Sequence, residues 1–106
     1  MKLAALALSF GLGLSASAQA MEVFAPANLS RVAQQLVQIG LQDDPRIAYR
    51  GLDGVIGPQT IEAIKAWQAL EGIVDQDPLD KRTICTLINR GIQGHGSSAK
   101  RPSDCQ

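Results

Sequence analysis

The chain has 106 residues, 45% of them hydrophobic and 19% charged, with ten Lys+Arg against ten Asp+Glu. That length allows one small domain. The balanced charge argues against a nucleic-acid partner, which calls for a basic face.

Residues 1–20 read as a secretory signal peptide. Lys2 gives a basic start, Leu3 to Leu14 is apolar, and Ala16-Ser17-Ala18 and Ala18-Gln19-Ala20 are two small-x-small cleavage sites. The apolar run is too short to cross a bilayer, and no later stretch is long enough, so no membrane span is expected after cleavage. No lipobox cysteine follows. Without Lys2, nine basic side chains stand against ten acidic ones. The expected location is exported, either periplasmic or secreted.

Residues 21–27 read as an extended lead-in to a domain over 21–93. Asn28 or Ser30 can cap a first helix, because their side-chain oxygens accept from free N–H groups. Leu29, Val32, Ala33, Leu36, Val37 and Ile39 then form an apolar stripe, and Gly40 is read as the helix stop. A polar loop, 41–52, contains Asp43-Asp44-Pro45. Asp53-Gly54 is a turn pair and Gly57-Pro58 a second break, with Pro58 suited to the first helical position. Ile61, Ile64, Trp67 and Leu70 recur at helical spacing, with Ala63 and Ala66 beside them, so a second helix is expected from Pro58 to Glu71, stopping at Gly72. Asp77-Pro78 breaks the chain again, Asp80 is a natural N-cap, and Ile84, Leu87 and Ile88 give a third helix ending at Gly91. Residues 94–106 are a polar tail. Cys85 and Cys105 are the two cysteines of an exported chain, and a disulfide between them is expected. It ties the tail back and contributes roughly 3 kcal/mol in the chain-entropy model.

The stretch Asp53-Gly54-Val55-Ile56-Gly57-Pro58-Gln59-Thr60, followed by Ala63-Ile64, Trp67-Gln68 and Gly72-Ile73, resembles the signature of the peptidoglycan-binding-domain-like family. These are small three-helix modules found on bacterial cell-wall hydrolases. The match covers about residues 28–91. It implies an all-α, three-helix fold and a non-catalytic module that binds peptidoglycan, through glycan or stem peptide, without a cofactor. Family members usually sit beside a catalytic domain; with no second domain expected here, the resemblance implies a module that acts alone, recruits a partner such as a cell-wall enzyme acting in trans, or occupies wall sites. The chain departs from the pattern in two places. Leu41 stands where the family places a Tyr, ahead of a lengthened loop. A pseudo-repeat aligns Thr60-Ile61 with Thr83-Ile84, but Gly54 and Gly57 become Asp77 and Asp80, which bears on any binding role of the second turn. These departures favour the alternative, an exported accessory or inhibitor that uses the scaffold against a protein partner.

No catalytic set is expected. His95 is the only histidine and sits between two glycines, and Asp43-Asp44 reads as a turn rather than a paired-carboxylate site. Trp67 shares the stripe of Ile64 and is assigned to the core rather than to sugar stacking. Tyr49 is the candidate exposed aromatic, flanked by Arg46 and Arg50, whose guanidinium groups can hold a carboxylate through paired N–H bonds; the bland alternative is a Tyr folded over the domain edge. Asp53 serves either the turn or a ligand. The ligand-binding set expected from the sequence is therefore Arg46, Tyr49, Arg50, Asp53 and Gln59, with no metal.

Overall fold

A computed structural model describes residues 22–94 and 100–106. The signal peptide and cleavage sites read at residues 1–20, and His95, lie outside the described residues. Three helices carry the fold: α1 (Arg31–Gln42), α2 (Pro58–Leu70) and α3 (Lys81–Gly94), with short 3-10 turns at Pro26–Asn28 and Ser103–Cys105. The expected all-α, three-helix class is what forms.

Each helix begins by a different device. Ser30 caps α1, its Oγ accepting from the Ala33 N–H at 3.1 Å. Pro58 opens α2 with no side-chain cap from Gly57. The Asp80 carboxylate caps α3, accepting from the Thr83 N–H at 2.7 Å. Ahead of α3, the lead-in pairs with the chain at a single antiparallel bridge, Val23 to Asp80. The Phe24 N–H donates to the Leu79 carbonyl at 2.8 Å and the Lys81 N–H to the Glu22 carbonyl at 2.7 Å.

Ala33, Val37 and Leu41 of α1, Ile64 and Trp67 of α2, and Ile84, Leu87 and Ile88 of α3 make the centre of the core, each no more than 1% exposed. Trp67 therefore packs inside and offers no face to a sugar; the Arg90 guanidinium lies over its ring, 5.7 Å from the centroid. Val32 and Leu70, read as members of the apolar stripes, are instead exposed. Val32 lies on α1 next to the buried Ala33, and Leu70 is the last residue of α2.

Two glycines were read as helix stops and are not. α1 continues through Gly40 to Gln42, and α3 through Gly91 to Gly94. A Cβ on Gly40 would meet the Leu87 carbonyl, and one on Gly91 the Leu36 carbonyl. Each glycine lets the backbone of the other helix come close, so the letters that look like helix ends mark a helix crossing. By contrast, Gly72 does terminate α2, with φ +73°.

The Cys85–Cys105 disulfide is formed, with a Cα–Cα distance of 5.6 Å. It holds the C-terminal 3-10 turn against α3, and the Ser30 hydroxyl donates to the Asp104 carboxylate at 3.2 Å. That carboxylate sits at the start of α1, where the helix dipole favours negative charge. A closed bond of this kind is what an oxidising compartment maintains. Among the described residues, no helix is long and apolar enough to cross a membrane.

Candidate functional site

The segment between α1 and α2 is built by Asp44. Its main-chain carbonyl accepts from the Ile47 N–H at 3.1 Å, closing a turn with Pro45 in second place, where fixed φ is an advantage. Its carboxylate accepts from the Arg46 N–H and Nε, both at 2.9 Å, and from Nη2 at 2.8 Å. The Arg46 guanidinium beside it holds the Asp44 carboxyl down to about 2. Arg46 Nη2 also donates to Glu71 at 2.7 Å, so this side chain braces the segment to the end of α2.

Beyond that turn the chain is extended. Ile47 and Tyr49 point into the core, while Arg46, Ala48 and Arg50 face water. The loop read as polar is thus an alternating strip with an apolar inner face. This corrects the placement of Tyr49 as an exposed aromatic: it is only 5% exposed. Its hydroxyl lies 2.8 Å from Thr60 Oγ1 and donates to the Gly51 carbonyl at 3.1 Å. A phenol whose polar end is bonded to the first turn of a helix is held ring-inward, over the domain edge.

The turn that follows is organised from α1. Gln38, fully buried, donates through Nε2 to Asp53 Oδ1 at 2.8 Å and to the Val55 carbonyl at 2.9 Å, and its Oε1 accepts from the Gly54 N–H at 2.8 Å. Gln34, one helical turn earlier, accepts from the Ile56 N–H at 2.9 Å. Asp53 Oδ1 also accepts from the Val55 N–H at 2.9 Å. The donors from Gln38 and Val55 hold the Asp53 carboxyl below the usual range. Gly54 takes φ +78°, which an L side chain resists. Asp53 thus serves the turn.

Arg46, Tyr49, Arg50 and Gln59, four of the five residues expected from the sequence, line one surface groove of about 690 Å³ between the extended segment and α2. Asp53 is not among its lining residues. Pro58, Glu62, Ala63 and Ala66 complete the α2 wall. Sequence reasoning missed Glu62 and the alanine floor, although positions 59, 62, 63 and 66 fall on one helical face by spacing alone. It also missed Gln34 and Gln38, whose signal is two glutamines four apart along the edge of the apolar stripe of α1.

The groove's polar groups differ in how committed they are. Arg46, on the rim, is held by Asp44 and Glu71. Arg50 makes a hydrogen bond to the Tyr49 carbonyl at 3.3 Å and, among the described residues, no ion pair. Glu62 pairs with Lys65 at 3.2 Å in the open. A second depression of about 490 Å³ lies where the ends of α1 and α3 adjoin, lined by Asp43, Asp44, Arg46, Arg90 and Gln93. Within it Asp44 pairs with Arg46, while Arg90 reaches out of it to Glu71 at 3.6 Å. Among the described residues, no group of three or more His, Cys, Asp or Glu side chains is placed to hold a metal ion. Comparison of the chain with family models, with curated proteins and with solved structures finds no match.

Proposed function

We propose that this chain is an exported, non-catalytic module that binds peptidoglycan non-covalently in the groove between residues 46–50 and α2. The observation that carries the reading is where the signature residues fall. Pro58 and Ala63, from the stretch that resembles the cell-wall-binding family, line one wall of the groove together with Gln59, and the groove also gathers Arg46, Tyr49 and Arg50. Rigid support on a helix with adjustable polar groups on the facing strip suits reversible binding. The disulfide is consistent with work outside the cytoplasm.

The test is co-sedimentation of the mature protein with purified, protein-free sacculi. Tyr49 is unsuitable for substitution, because its loss would disturb the core. The informative variant is Arg50→Ala/Gln59→Ala, both exposed positions. Wild-type binding that falls in this folded variant supports the reading. No sedimentation of the wild type with sacculi overturns it and returns attention to a protein partner.

A further inference from the structure

Two cations, Arg46 and Arg50, and one anion, Glu62, line the groove over a small apolar floor. Arg50 is exposed and, unlike Arg46, has no carboxylate partner among the described residues. The Glu62 side chain, 72% exposed, is engaged only by Lys65, and such solvent-exposed pairs contribute little and exchange readily. Ala63 and Ala66 line the groove between the longer side chains of Gln59 and Glu62 on α2 and give it a shallow apolar floor. The groove's only aromatic, Tyr49, is buried and has its hydroxyl bonded, so the site has no open ring on which a sugar face could stack.

These features discriminate between the two halves of peptidoglycan. The glycan offers hydroxyl and acetamido groups and favours an exposed aromatic platform. The stem peptide offers carboxylates, alanyl methyl groups and, where it is not cross-linked, the free amine of its diamino acid. We propose that the groove takes the uncross-linked stem peptide, with a carboxylate on Arg50, the free ammonium on Glu62 and an alanyl methyl on the floor formed by Ala63 and Ala66. This rests on the peptidoglycan reading above and narrows it to one chemical partner, a short zwitterionic peptide.

The experiment is direct titration of the mature protein with a soluble stem tetrapeptide whose diamino-acid amine is free, beside the same peptide acetylated on that amine. Peptide-free glycan strands and intact sacculi are the comparison ligands. The free peptide should bind and should displace the protein from sacculi. Arg50→Gln and Glu62→Gln, both at exposed positions, should each weaken it by about tenfold, the loss of one charge-assisted pair. Acetylation should weaken binding to the wild type similarly, yet change nothing further for Glu62→Gln. Added salt should weaken binding, because exposed charges are screened over about 10 Å at 0.1 M. If sacculi bind while the free peptide neither binds nor competes, the stem-peptide assignment is wrong and the peptidoglycan reading survives. If glycan strands bind as well as sacculi, the groove takes glycan. If the wild type binds neither sacculi nor the peptide, both readings fail together.

Discussion

The two turns that launch α2 and α3 solve one problem with different chemistry. Each is gripped by a glutamine from the preceding helix: Gln38 holds Asp53, Gly54 and Val55, while Gln68 donates to the Asp77 carbonyl at 3.1 Å and to Thr83 Oγ1 at 3.0 Å. Each contains an aspartate whose carboxylate accepts from the N–H two residues on, Val55 in the first and Leu79 in the second. Each has one left-handed residue, Gly54 at φ +78° and Asp75 at φ +59°. The difference lies outside. The second turn is closed by the Asp80 cap and by the lead-in at Glu22–Phe24. The first turn lacks that cap and that lead-in and is met there only by Arg31 of α1, whose guanidinium donates to the Asp53 carbonyl at 3.1 Å, while Val55, Pro58 and Gln59 stay exposed. A repeated scaffold has thus left one copy open, and the groove begins at that copy.

Breaking the inner grip should have the largest effect, and an unequal one. Gln38→Leu keeps the shape but strips partners from the Gly54 N–H and the Val55 carbonyl, for a loss of roughly 3 kcal/mol; Gln68→Leu should cost about 2 kcal/mol. Urea unfolding at unchanged m-value measures both, and equal losses would mean that the two grips are equivalent after all. Next comes the cap that only the second turn possesses. Asp80→Ala should cost about 1–2 kcal/mol and fray the start of α3, seen as faster amide exchange at Thr83.

A smaller effect separates the turns by pH. Asp44 and Asp53 both flank the open side, and both have folded-state pKa values below the unfolded value of about 3.9. Carboxylates held in this way contribute stability that is fully present above about pH 4 and is lost as pH falls, for Asp44 down to about 2. The Asp44 side chain is 4% exposed but Arg46 is 41% exposed, so solvent screening keeps the pair's contribution small. Asp44→Asn should lower Tm at pH 6 and differ little from the wild type near pH 2; a gap that does not shrink on acidification would remove the pair from the account. The smallest change transplants the missing cap. Gly57 has extended backbone, and a Cβ there meets nothing within 4 Å. Gly57→Asp should raise stability by a few tenths of a kcal/mol, about the advantage of Asp over Gly at an N-cap. A fall in Tm would show that the open turn rejects the device its counterpart uses.

Much of this was legible because local signals have local causes. Pro58 at a helix start, Asp80 as a cap, Trp67 on an apolar stripe and a lone pair of cysteines in a short chain each announce a structure built within a few residues or by one bond. What was not legible depended on partners far along the chain. Gly40 and Gly91 carry the same letter whether a helix ends or another helix passes, and only the carbonyls of Leu87 and Leu36 decide which. Tyr49 sits among arginines in sequence, yet Thr60, eleven residues on, accounts for its hydroxyl. The alternation from Arg46 to Arg50 reads only as part of a polar loop, because two buried side chains, Ile47 and Tyr49, are too few to stand out until the core they enter is known.

The bridge between Cys85 and Cys105 has a consequence for survival among proteases. It makes a covalent ring of the second half of α3 and the tail, and Arg90, Lys100 and Arg101 all lie within that ring. A trypsin-like cut after Arg90 or Lys100 opens the ring but releases no fragment, whereas the bond after Arg101 is shielded by Pro102. Such a nicked protein would migrate as one chain without reductant and as two with it, and the severed piece would stay beside its own helix, ready to re-dock instead of diffusing away.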